Sequence, residues 1–354
     1  MKTAFLLSFI LVFLSFIGSA QDLHYTNYNF APLYFSPAET GSFNGTIRVG
    51  GILRDQFSSF ITNAYQSQSL YIDSPQSFGV LKKDWVGLGL VFYNDSAGDI
   101  GFSNTGFLMS AAYHKSLHKK KFSVLSFGLQ YGSIRRKVNS ANNALWGDAL
   151  LSGNSNSPDQ LLLDALEENY NDLNFGIKYH YRLKDGNEFV LGVSLMHILD
   201  PDFMGLIQTN TIQKRINAHC FAIMNVGKKV AVKYGFYYSN MGLFTKRYSM
   251  HSNMNLFAQL YFELQSKKKK KSREKKSAKT FELMTGLGYR FGDALQFFLG
   301  VNYERWQAGF AFDMTVSEAA VYNNNNGAIE FGLQHIINVY KEPKIDNKIL
   351  CPKF

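Results

Sequence analysis

Between Lys279 and Tyr340, large apolar side chains alternate with small or polar ones through four successive segments. In Thr280–Phe291 one parity holds Phe281, Leu283, Leu287, Tyr289 and Phe291, and the other holds Glu282, Gly286, Gly288 and Arg290. Leu295, Phe297, Leu299, Val301 and Tyr303 then stand against Gln296, Gly300, Asn302 and Glu304, and Trp306, Ala308, Phe310, Phe312 and Met314 against Gln307, Gly309 and Asp313. A last run sets Ile329, Phe331, Leu333, Ile337 and Val339 against Glu330, Gly332, Gln334 and Asn338. A period of two marks a strand with one apolar face. A soluble sheet buried on one side alternates in the same way. Here the polar parity is too rich in glycine and charge to pack a sandwich interior, so the apolar side is assigned to lipid and the other to a lumen. Each run is about as long as a tilted strand needs to cross a bilayer.

Further strands are predicted at Thr46–Leu53, Ser67–Leu81, Trp85–Asn94, Thr105–Ser116, Phe122–Ile134, Asp172–Leu183, Glu188–His197, Arg215–Val226, Lys229–Asn240 and Met250–Leu264. The total is about fourteen, an even number, and the fold class is all-β: a single transmembrane antiparallel barrel over residues 46–340. With the N-terminus periplasmic, odd-to-even connections lie outside and even-to-odd ones are short inner turns. The outer set is Arg54–Gln66, Asp95–Asn104, Arg135–Asn171, Ile198–Lys214, Met241–Ser249 and Ser317–Gly327. The inner set is Lys82–Asp84, Leu117–Lys121, Lys184–Asn187, Gly227–Lys228 and Glu304–Arg305. Gln265–Ala278 breaks the rule as a long inner connection.

The start of the chain raises the odds of a membrane barrel. Residues 1–20 carry a lysine, an apolar run from Ala4 to Ile17 and small residues Gly18-Ser19-Ala20, the pattern of a secretory signal peptide. The run is short for a membrane anchor, and no cysteine follows the small residues, which disfavours a lipoprotein. An exported chain without a spanning helix enters a membrane only as a closed barrel. Aromatic residues make up 15% of the sequence, and the 29 glycines are dispersed, as girdles and a small-residue lumen require. Cys220 and Cys351 form no disulfide framework or metal spacing.

Residues 21–45 hold Tyr25, Tyr28, Phe30, Pro32, Tyr34, Phe35 and Pro37 without a period, and are expected to pack into or under the barrel. Asp159–Glu168 fits a short amphipathic helix, as a cap over the mouth or a self-packed loop. The long inner connection carries Lys267, Lys268, Lys269, Lys270, Lys271, Arg273, Lys275 and Lys276, which concentrates much of the net charge of +10 on one rim. Such a run is a solvated loop or an electropositive surface for an acidic periplasmic partner. Residues 341–354 are read as a periplasmic tail.

No phosphate loop, metal cluster or nucleophile elbow is present in the sequence, so no enzymatic activity and no cofactor are expected. His180, His197 and His219 fall inside strand patterns, as lumen or interface side chains. Export disfavours nucleic-acid binding.

Several motifs stand in a fixed order. Ala31-Pro32-Leu33-Tyr34-Phe35-Ser36-Pro37-Ala38-Glu39-Thr40-Gly41 follows the form NPLY-x-NPA-x-x-G, with Ala31 and Ser36 in place of its asparagines. Arg54-Asp55-Gln56-Phe57, Val86–Leu90 with Asn94-Asp95, Leu173–Arg182, Gly288–Gln296 and terminal Cys351-Pro352-Lys353-Phe354 come after it. In this respect the sequence resembles the PorP/SprF family of outer-membrane proteins of the type IX secretion and gliding system of the Bacteroidetes. The resemblance implies an outer-membrane barrel that aids export or surface attachment of a large cargo bearing a C-terminal sorting domain. Translocon parts or periplasmic lipoproteins are further implied partners. The strands alone suit a passive or ligand-binding channel equally well, and an anchor for periplasmic lipoproteins is a third reading. Within the motifs, Pro32, Tyr34, Pro37, Arg54, Asp55 and Gln56 are the candidate residues for a network that holds the mouth or meets a partner.

Overall fold

The computed structural model describes residues 23–339, apart from 60, 62–63, 78–82, 99, 119–121, 139–166, 184, 205–208, 228, 243–250 and 266–279. Its strands are β1 (Ile47–Gln56), β2 (Tyr65–Gln76), β3 (Trp85–Ala97), β4 (Phe102–Ser116), β5 (Phe122–Val138), β6 (Glu167–Arg182), β7 (Glu188–Met196), β8 (Asp202–Met204), β9 (Thr209–Thr211), β10 (Arg215–Asn225), β11 (Val230–Met241), β12 (His251–Gln265), β13 (Thr280–Arg290), β14 (Ala294–Tyr303), β15 (Trp306–Thr315) and β16 (Asn326–Ile337). All but β8 and β9 form one closed antiparallel barrel of fourteen strands, in which β1 pairs with both β2 and β16. The excepted pair makes a small ribbon in the connection between β7 and β10.

Closure follows from the period-two pattern. With no water to pair with, backbone groups in a bilayer must be satisfied between strands, and a ring leaves no edge. Leu287, Phe297 and Phe331 are exposed on the outer wall, and Phe310 stands half-buried beside Phe331. Arg290, Gln296, Asp313 and Glu330 lie buried on the inner side. An arginine at Phe310 should therefore cost about 2–4 kcal/mol near mid-membrane. Refolding into lipid vesicles, followed by heat-modifiable migration, reads this out; a cost near zero would contradict the assignment of faces.

Several sequence expectations change. Glu167 and Glu168, read as the end of a helix, instead begin β6, because strands β5 and β6 extend as a hairpin on which Arg135 pairs with Glu167 at 2.5 Å. The rest of that helix, the lysine-rich stretch from Lys267 to Lys276, the signal sequence and the C-terminal tail lie outside the described residues. The strand expected to run to Leu81 ends at Gln76. Gly309 lies on the lumen side, as its parity predicts, and a larger side chain there meets a steric limit. The obstacle is the plug itself, since a Cβ there would strike the ring of Phe30.

Candidate functional site

Residues 23–45 fill the barrel. Pro32 begins a helical turn, Pro32–Phe35, and Pro37 begins a 3-10 turn, Pro37–Glu39. Proline suits a first helical position because its fixed φ is helical and its missing N–H would have no partner there. The prolines that forbid a strand thus coil the segment into a compact plug. Its aromatic residues pack against inward-facing rings of the wall: Phe35 on Tyr237 at 4.8 Å, Tyr34 on Tyr93 at 5.3 Å, Tyr28 on Phe257 at 5.4 Å. The Arg215 guanidinium lies over the Tyr34 ring at 5.0 Å and donates to its hydroxyl. Lys233 donates to Asn29 at 2.7 Å and lies 4.4 Å above the Phe221 ring.

Glycines on the inner parity make room for this segment. A Cβ at Gly332 or Gly309 would enter the Phe30 ring, and one at Gly128 would enter the backbone of Pro37 and Ala38. A void of about 50 Å³ remains beside Tyr28, Phe35, Glu39 and His219, room for about one water.

Two polar clamps fasten the ends. At the rim of the long connections, Glu330 accepts from the backbone N–H groups of Thr26 and Asn27, each at 2.7 Å. Arg54 spans Glu330 at 2.5 Å and Asp313 at 3.0 Å, and Arg290 meets Asp313 at 2.5 Å. The Thr26 hydroxyl donates to Asp313 at 2.9 Å and accepts from Arg54 at 3.0 Å. All four charged side chains are buried, where ions persist only when paired.

Toward the opposite rim, Asp73 binds Arg48 through both oxygens, at 2.9 and 2.7 Å, and accepts from the Gly41 N–H at 2.7 Å. Lys178 reaches Glu39 at 2.6 Å and Ser42 at 2.6 Å. Burial pushes Glu39 up, but the Lys178 ammonium and His219 outweigh it and hold the carboxyl at about 2. His114 donates through Nε2 to the Thr40 carbonyl at 2.7 Å, which leaves Nδ1 to accept from Ser126, also at 2.7 Å. Trp85 donates to the Gly41 carbonyl at 2.9 Å.

The order of these contacts gives the plug a direction. Leu23 to Asn27 contact the ends of β1, β13 and β15 and the starts of β10 and β16, at the rim of the long connections. Thr40 and Gly41 contact the opposite rim, where β1 begins. The chain therefore descends the full lumen before entering the wall. This corrects the expectation of a start on the short-turn side, since the described segment begins at the far mouth.

The sequence-predicted residues divide accordingly. Pro32, Tyr34 and Pro37 sit in the plug, and Arg54 with Gln56 in the mouth network, where Gln56 accepts from Arg54 at 3.1 Å. Asp55 does not join them: neighbouring strand residues point to opposite faces, so it turns outward and accepts from Ser58. The carboxylates that Arg54 uses are Asp313 and Glu330. Charges at the inward parity of a membrane strand need partners, and that was the signal available for both. His180 pairs with Glu188 at 2.9 Å and His197 with Asp172 at 3.1 Å, both facing the lumen side. Among the described residues, no group of three or more metal-ligating side chains occurs.

Residues 17–334 match the family model described as type IX secretion system membrane protein PorP/SprF. No curated protein matches the sequence. Among solved structures, the CymD monoaromatic hydrocarbon channel is similar at a TM-score of 0.44 and 10% identity, over 92% of this chain and 96% of that one. The Ralstonia pickettii toluene transporter TbuX gives 0.45 and 10%, over 87% and 94%. BamA from Haemophilus ducreyi lacking POTRA domains 1-3 gives 0.42 and 8%, over 82% and 70%.

Proposed function

The chain belongs to the PorP/SprF family of type IX secretion system membrane proteins, and we propose from that premise that it is a self-plugged outer-membrane component of type IX export. It aids the secretion or surface attachment of a particular large cargo with a C-terminal sorting domain, working through its surfaces and not through its lumen. The observation that carries this reading is the plug. A passive or ligand-binding channel needs a path along its axis, and here that axis is occupied by residues 23–45, clamped at both ends by buried ions. The protein acts without chemistry of its own.

In this reading the long connections face the cell exterior and the short turns face the periplasm. On the exterior rim, Val321 and Tyr322 project from the short helix Ala320–Asn323 at 81% and 76% exposure. A maleimide that cannot cross membranes should label Val321→Cys on intact cells and Asp185→Cys only after the outer membrane is opened. Labelling in the reverse order would invert the topology. The functional test is loss of the gene: one cargo should leave the cell surface while the general export of other sorting-domain proteins persists. Uniform loss of all cargo would replace the specific role with a general one.

A further inference from the structure

The plug meets the wall in two halves that the sequence sets far apart. Its later half bonds to strands that follow it closely: Gly41 reaches Asp73 of β2 over 32 positions, Trp85 of β3 reaches Gly41 over 44, His114 of β4 reaches Thr40 over 74, and Gln130 of β5 reaches Leu33 over 97. Its earlier half bonds to the other end of the chain. Thr26 and Asn27 reach Glu330 of β16 over 304 and 303 positions, Thr26 reaches Asp313 of β15 over 287, and the Phe30 ring lies against Gly309 and Gly332.

The ring is joined along one seam. Each barrel strand pairs with the next one along the chain, the small ribbon aside, except where β1 meets β16. Arg54 and Glu330 are opposite in register across that seam and bond at 2.5 Å, so Glu330 grips β1 and the plug together. Contacts near in sequence cost less loop-closure entropy and form ahead of distant ones. The later half of the plug can thus lie along β2 to β5 while β16 is still outside the ring. The opposite order meets an obstacle, because the segment is tied to β1 at the short-turn rim and Leu23 sits at the far one. Seating in a finished ring would draw Leu23 along the whole lumen, past inward rings such as Tyr237 and Tyr93.

We propose that the plug is laid on the still-open sheet from β2 to β6, that β16 then closes over it onto β1, and that Glu330 is the latch of this last step. The order concerns rate and not final stability, so a wall without its plug still closes, but more slowly. It holds whichever rim faces the cell exterior. It also leaves whatever precedes Leu23 on the side of the long connections.

Refolding from urea into detergent micelles, where both rims are open to solvent, tests the order in Cys220→Ser, Cys351→Ser chains. One variant carries Thr40→Cys with Ser110→Cys and reports seating of the plug. Another carries Leu53→Cys with Phe331→Cys, opposite each other on the outer side of the seam, and reports closure. Under brief pulses of a fast thiol oxidant during refolding, the plug bond should reach half its final level roughly tenfold sooner than the seam bond. A seam bond that forms first or in step overturns the proposal. A fusion gives a second reading: a small cysteine-free domain that stays folded in the urea replaces residues 1–22 of the Thr40→Cys, Ser110→Cys chain. Such a bulk cannot pass along the lumen, so the plug bond should form in the same fraction as in the unfused chain. Loss of that bond in a barrel that keeps its heat-modifiable migration would show entry after closure and overturn the proposal. So would a fusion that blocks folding where an unstructured tail of equal length does not.

Discussion

Removing residues 23–42 should convert a silent barrel into a pore. With residues 1–22 and β1 retained, planar bilayers should pass from no resolved channel to stable open levels. The wall stands without the plug because its strands pair only with one another, and every bilayer-facing position stays covered. What the deletion exposes is the polar inner parity. Asp73, Lys178, Asp313 and Glu330 lose plug partners but regain water, which solvates them at little cost. Inward rings such as Tyr93, Tyr237 and Phe257 are left wet, so stability should fall while heat-modifiable migration persists. Barrels of sixteen to eighteen strands leave an aqueous channel, and a fourteen-stranded ring without its filling should leave a narrower one. Gly332→Leu is the milder version. Its side chain takes the volume that the Phe30 ring occupies, so brief openings are expected in place of a permanent pore. Silence from the deletion variant in a folded barrel would mean that something other than this segment closes the lumen.

Arg54→Ala should loosen the mouth at the long connections by about 3–5 kcal/mol, the usual cost of leaving buried charge unpaired. Arg54 stands between Asp313 and Glu330 at 3.0 and 2.5 Å, and without it the two carboxylates share Arg290 alone, which reaches only Asp313. Adding Glu330→Gln to Arg54→Ala removes one of the stranded charges and should restore part of the loss, a coupling that a double-mutant cycle isolates. Arg54→Lys should rescue less than full stability, because an ammonium lacks the planar fork that spans two carboxylates. Asp55→Ala should change stability by no more than about 0.5 kcal/mol, since its side chain is outward at the rim. Equal effects at Arg54 and Asp55 would contradict the network as described. Unfolding midpoints in vesicles, with conductance as the readout of plug seating, measure all four.

Much of the wall was legible in the sequence for a physical reason. Lipid tolerates so few exceptions on its side that the alternation survives along most strands, and Leu287, Phe297 and Phe331 could be assigned a face from parity alone. The pattern blurred where the inner face is also apolar. Val91, Leu108, Ile134 and Phe298 are buried inward, because much of what they meet is plug and not water. The aromatic N-terminal segment read as packed, but its direction did not, since that depends on contacts such as Thr26 with Glu330 across 304 positions. The motif placed Asp55 beside Arg54 as its partner by adjacency. In a strand adjacency separates faces, and the true partners lie 259 and 276 positions away. The glycines of β5, β15 and β16 were read as a small-residue lumen. They are the floor on which Pro37 and Phe30 rest.

The most direct test of the plugged barrel is a disulfide between plug and wall. The hydroxyls of Thr40 and Ser110 lie 2.5 Å apart, so cysteines there can meet with little movement if the plug sits as described. In Cys220→Ser, Cys351→Ser chains purified from native membranes, Thr40→Cys with Ser110→Cys should form one intramolecular disulfide in nearly every molecule. That bond should keep bilayers silent even when Arg54→Ala is added. Two free thiols, both open to a small maleimide added from solution in the folded barrel, would contradict a plugged lumen.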